Sequence, residues 1–163
     1  MAQQVTVAPP RGWLARPPAR GPARPLPALP LPARAASALA ARRHVQRLLT
    51  GWQLTACLDT AQLLASELVA NAVTATRALP QTGFPAVWAP IELSLRRTGT
   101  SLIIEVRDPD PDPPADREAG PLDEDGRGLF IVGVLSSRWG HHAARCGGKV
   151  VWCEIALPPG SLS

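Results

Sequence analysis

Nine prolines fall within residues 1–34. Proline fixes φ and has no backbone N–H, so neither a helix nor a central strand runs through such a stretch. A folded domain must therefore be built from the residues beyond it, and residues 1–25 are expected to be a disordered tail. In the stretch Leu26–Leu31, Leu alternates with Pro or Ala. It suits a short edge strand, the sheet position where proline is tolerated. The 163-residue chain is long enough for one domain of ordinary size plus a tail. The domain is expected over 26–158, with 159–163 as a short C-terminal tail.

Charge follows the same division. Five of the seventeen basic residues (Arg11, Arg16, Arg20, Arg24 and Arg34) lie in the proline-rich stretch, which has no acid. Residues 35–163 hold twelve basic against thirteen acidic side chains. The net charge of +4 thus belongs to the tail and not to the domain. All basic residues but Lys149 are Arg, a usage that reads as the codon bias of a GC-rich bacterial genome. Five Trp, two Phe and no Tyr are too few rings for a base-stacking platform. The three cysteines, Cys57, Cys146 and Cys153, are scattered and odd in number, which fits a reducing cytoplasm better than a disulfide framework. Proline interrupts any signal-peptide core, and no run approaches the ~20 apolar residues of a membrane span. A cytoplasmic protein without membrane contact is expected.

Hydrophobic periodicity places the elements. Ala35–Leu49 repeats apolar residues at Ala38, Ala41, Val45, Leu48 and Leu49, near the helical period, with Gly51 suited to its C-cap. A second helix is expected from Asp59, as N-cap or first-turn acid, to Ala78, with Leu64, Leu68, Ala72 and Ala75 as its stripe. Ile91–Arg97 and Ser101–Arg107 read as a hairpin across Thr98-Gly99-Thr100. Pro109–Asp125 is a loop with five prolines and seven acids. Gly126–Arg138 is expected as a third helix, and Val150–Leu157 as the last strand, entered through Gly147-Gly148. The order strand, helix, helix, strand, strand, loop, helix, strand predicts a two-layer α/β sandwich with the helices on one sheet face.

Three features could carry chemistry. Glu67 and Asn71 are four residues apart and share one helix face. A carboxylate beside an amide oxygen suits Mg²⁺, which takes hard oxygen ligands and keeps several waters. The same pairing also occurs on ordinary solvated helix faces. Asp108, before Pro109 at the end of an apolar strand, can accept a hydrogen bond from an amino group such as adenine N6, or can simply start a turn. Gly126-Arg127-Gly128-Leu129 opens a helix after the acidic loop. Its glycines allow close approach of a phosphate, its free N–H groups and dipole favour an anion, and Arg127 adds a charged donor. A glycine turn into a buried helix is the plainer alternative.

Other sites fit less well. The glycines do not follow a strand directly, as a dinucleotide-binding fold needs, and no G-K-[ST] occurs. His141, His142, Cys146 and Cys153 lack zinc-ligand spacing.

The order L-L-A-S-E-L-V-A-N-A-V, V-R-D-P, D-G-R-G-L-F-I-V resembles the N-box and the two glycine boxes of the histidine-kinase-like ATPase (GHKL) superfamily. With the upstream A-A-R-R-H-V-Q-R-L-L and the downstream S-S-R-W-G, it is similar to the stand-alone anti-sigma-factor serine kinases of bacteria, over about residues 26–158. The resemblance implies a Bergerat-type fold, with a mixed, mostly antiparallel sheet covered by about three helices on one face. It implies ATP and Mg²⁺ as cofactors, Asn71 as magnesium ligand, Glu67 as general base and Asp108 as adenine anchor. Gly126, Arg127, Gly128 and Leu129 would form the phosphate-side hinge of a lid. It further implies a partner protein, either a sigma factor or an anti-sigma-factor antagonist carrying the phosphorylated serine, and dimerisation.

Three positions depart from the family pattern: Ala75 where a His is frequent, Asp110 where Gly is usual, and Lys149 where a Gly-Thr pattern is usual. They keep a second reading open, a non-catalytic protein-binding module with a degenerate nucleotide site. Nucleic-acid binding through the Arg-rich tail ranks last, because the domain carries no basic excess.

Overall fold

A computed structural model describes Pro17 and residues 27–80, 90–114 and 127–158. The expected N-terminal tail (Pro17 aside), most of the acidic loop, Gly126 and the C-terminal tail 159–163 lie outside the described residues. Strand β1 (Leu29–Leu31) leads to helices α1 (Ala36–Gly51) and α2 (Leu58–Ala78), the latter entered through a short 3-10 turn. Strands β2 (Ile91–Arg97) and β3 (Ser101–Asp108) come next, then helix α3 (Arg127–Leu135) and strands β4 (Arg138–Ala143) and β5 (Lys149–Ala156).

The five strands form one sheet in the order β1-β2-β3-β5-β4. Every pairing is antiparallel, so the sheet is not mixed as expected. β1 is an edge strand, and Pro30 sits within it opposite Glu92. The edge tolerates it because one side of that strand needs no partner. Alternation along β2, β3 and β5 sends Leu93, Leu95, Leu102, Ile104, Val106, Val151, Cys153 and Ile155 into the core cluster shared with the helices. Ile103 and Trp152, of the opposite parity, are also fully buried but stand outside that cluster.

Helix α2 runs 21 residues without Gly or Pro. Its buried residues Ala61, Leu64, Ala65, Ser66, Leu68, Val69, Ala72, Val73 and Thr76 recur at three- and four-residue steps. Each large one buried there contributes roughly 1.5–3 kcal/mol. α1 adds Ala41, Val45 and Leu49, and is tied to α2 by Gln62 Nε2 donating to the Arg42 carbonyl at 3.1 Å.

Asp59 lies in the first turn of α2, one of the two places expected for it, while the N-cap position is Cys57. The left-handed residue after α1 is Gln53, with φ 59°, and not Gly51, which is still helical. The third helix stops at Leu135, short of the expected Arg138, because Arg138 begins β4. That strand was not expected: Arg138-Trp-Gly-His-His-Ala143 has only one large apolar residue. Its pairing with β5, not its own pattern, makes it a strand.

Candidate nucleotide site

The site lies where α2, α3 and the paired ends of β3 and β5 meet. Glu67 and Asn71 flank the apolar stripe of α2, both half-buried. The first turn of α3 is laid directly on them. A Cβ added to Gly128 would stand 2.8 Å from Glu67 Oε2, 3.4 Å from Asn71 Nδ2 and 3.5 Å from Asn71 Oδ1. Only glycine leaves that space open. Two stretches far apart in the chain thus converge on one carboxylate and one amide.

Both groups are poised for a ligand. Asn71 Nδ2 is buried and has no hydrogen-bond partner among the described residues. An unpaired buried donor costs about 1–3 kcal/mol, which a ligand oxygen would recover. Glu67 accepts no hydrogen bond from the described residues, and burial pushes its carboxyl above the usual glutamate range. Among the described residues no group of three or more His, Cys, Asp or Glu is placed to hold a metal. A magnesium ion would rest on one or two protein oxygens and complete its shell with water and phosphate, its usual habit. The Asn71 oxygen beside the Glu67 carboxylate suits that.

The other wall is built from the sheet. Asp108 ends β3 and Lys149 opens β5, and the two are cross-strand partners. Lys149 Nζ donates to Asp108 Oδ1 at 3.0 Å, to Asp110 Oδ2 at 2.8 Å and to the Asp110 carbonyl at 3.2 Å. The Asp110 N–H also donates to Asp108 Oδ1, at 3.0 Å. The Asp108 and Lys149 side chains are only 1% and 3% exposed. Burial pushes the Asp108 carboxyl up, and Lys149 holds it back only in part. The close approach depends on Gly148, whose φ is +79° and whose added Cβ would collide with the Asp108 carbonyl oxygen.

Between these walls lies a cavity of about 250 Å³, lined in part by Asn71, Ala75, Asp108, Asp110, Leu129 and Lys149. That is below the range of about 300–1,000 Å³ usual for small-molecule sites. Leu129 is buried in the core beneath it. The backbone of Arg127 starts α3.

A comparison with protein families matches residues 31–154 to the histidine kinase-like ATPase domain. The chain belongs to that family. No curated protein matches it in a sequence comparison. A histidine kinase-like ATPase domain points to nucleotide binding, typically with magnesium, in a regulatory role. Of the residues expected at its site, Glu67, Asn71 and Gly128 are brought together, and Asn71 lines the cavity with Asp108 and Leu129. Lys149 stood out in the sequence as a departure from the family's Gly-Thr pattern, with no partner assigned to it. The available signal was its being the sole lysine among Arg residues, at the entry of a strand whose register sets it opposite Asp108. Asp110, which stands where the family pattern has Gly, is turned onto Lys149. No helix among the described residues is long and apolar enough to cross a membrane.

Proposed function

We propose that this chain binds ATP with magnesium in the cavity between α2, α3 and the β3–β5 end, and phosphorylates a serine of a partner protein. It would do so as a cytoplasmic bacterial regulator of the anti-sigma-factor kinase type. The observation that carries the reading is the convergence of Gly128 on Glu67 and Asn71. In transfer, the serine oxygen forms a bond to the γ-phosphorus while the bond from that phosphorus to the β,γ-bridging oxygen breaks, and ADP leaves with the electron pair. Glu67, made more basic by burial, takes the serine proton. Asn71 would hold magnesium through its amide oxygen, and the ion would supply charge neutralisation at the phosphates. Neutralisation is needed, because Asp108, Asp110 and Asp112 line the cavity against one ammonium.

The test is thermal melting with ATP, with and without Mg²⁺, on the wild type and on Asn71→Ala. Nucleotide at about a hundred times its dissociation constant stabilises a fold by about 2.7 kcal/mol. The expected result is a magnesium-dependent rise in Tm that Asn71→Ala loses. A folded wild type with no rise at any concentration would sink the reading. It would favour a non-catalytic partner-binding module instead, a reading to which the engagement of Asp108 by Lys149 lends weight.

A further inference from the structure

We propose that Lys149 is the base-specificity determinant of this cavity: its ammonium masks the Asp108 carboxylate and so weakens selection for a 6-amino purine. The inference rests on the ATP reading above and deepens it. An acceptor that reads an exocyclic amino group must present a free lone pair to the cavity. Asp108 presents it at Oδ2 alone, which accepts from no described residue. Its side chain is 1% exposed, and Oδ1 already accepts from both Lys149 Nζ and the Asp110 N–H. An ammonium has three donors, and Lys149 Nζ has three acceptors, namely Asp108 Oδ1, Asp110 Oδ2 and the Asp110 carbonyl. The ammonium is therefore satisfied within the protein. The register, Asp108 opposite Lys149, is fixed by the β3–β5 ladder and by the close seat of Gly148.

An amino group can approach Asp108 Oδ2, but the carboxylate it meets there is already neutralised by the ammonium held on Oδ1. A 6-oxo purine has the opposite need. Its oxygen would be repelled by a bare Asp108 carboxylate but tolerated by a floor that carries the lysine charge. With Lys149 present the two bases are held on nearly equal terms; without it Asp108 discriminates.

The experiment is calorimetric titration with ATP and with ITP, each with Mg²⁺, of the wild type, Lys149→Met and Asp110→Ala/Lys149→Met. Methionine keeps the buried stem, and the double variant keeps the cluster's net charge by removing one acid with the base. The preference for ATP over ITP should rise about tenfold or more in both variants, the scale of one hydrogen bond to a charged group. An unchanged preference in a folded variant overturns the inference while leaving ATP binding intact. No binding of either nucleotide by any folded form overturns the ATP reading itself. A second measurement needs no variant. Lys149 is the sole lysine, so ¹⁵N-lysine labelling of the wild type gives one side-chain ammonium signal. Bound ATP should shift it; a signal that stays put while ATP binds counts against the inference.

Discussion

Gly128 and Glu67 are packed too closely for a methyl group to stand between them: a Cβ on the one would lie 2.8 Å from Oε2 of the other. The obstructed atom is the far end of a flexible side chain, so Gly128→Ala should fold. Its cost in stability should stay within about 1 kcal/mol, since alanine also favours the helix. Glu67 must swing aside, however, and phosphoryl transfer should fall by at least an order of magnitude, the scale of losing a positioned base. Melting curves together with a transfer assay check this. A variant that melts with the wild type and transfers equally well would show that the Glu67 orientation does not matter.

Gly148→Ala should behave in the opposite way. Its added Cβ would meet backbone atoms, colliding with the Asp108 carbonyl oxygen and standing 2.8 Å from Pro109 Cα, from a residue at φ +79°. Neither can move without parting β3 from β5. Strain of this kind, overpacking plus a left-handed non-glycine residue, costs about 3 kcal/mol or more. Denaturant titration should show either that loss or a chain that does not fold.

Glu67 gives a pH dependence of known sign. Its carboxyl is raised in the folded state by burial, so the folded chain holds that proton to higher pH than the unfolded chain. Its contribution to stability is greatest below the unfolded pKa and declines as pH rises through the folded one. Glu67→Gln should remove this decline and leave the protein at least as stable as the wild type at neutral pH. Transfer by the wild type should rise with pH across the same window, as the base loses its proton, and the variant should bind ATP without transferring phosphate. Stability and rate measured from pH 4 to 8 test both halves (about the span over which a raised carboxyl titrates).

Across the sheet, Glu154 is nearly buried and accepts from Ser101 Oγ at 2.5 Å and from Arg138 Nε at 2.8 Å. The bond from Arg138 ties the unexpected edge strand β4 to β5. Arg138→Met should cost about 1–3 kcal/mol by leaving the carboxylate half-paired, toward the low end because Arg138 is itself partly exposed. Adding Glu154→Gln should restore part of it, since a neutral amide is cheaper to leave half-satisfied. Urea midpoints of the two variants decide this.

The elements legible in the sequence are those that depend on local period. α1, α2, β2 and β3 announce themselves because their apolar residues repeat at helical or strand spacing within one segment. Glu67 and Asn71 were readable as a helix-face pair for the same reason. β4 was not, because Arg138–Ala143 borrows its conformation from β5 across a ladder. Nor was the pairing of Asp108 with Lys149, which are 41 residues apart and meet only through the strand register. The motif order located the cavity, whereas tertiary pairing decided what its floor presents.

β3 lies in the middle of the five strands, hydrogen-bonded on both sides, and it ends in Asp108. Amides of such a strand exchange with solvent only in the rarest openings, whereas edge strands and short helices open more often. The two halves of the site thus belong to different tiers of local unfolding, with Asp108 on a strand that opens late and Gly128 on a nine-residue helix that opens early. Under mild denaturation the floor should outlast the roof, so a nucleotide that touches both would slow exchange most in α3.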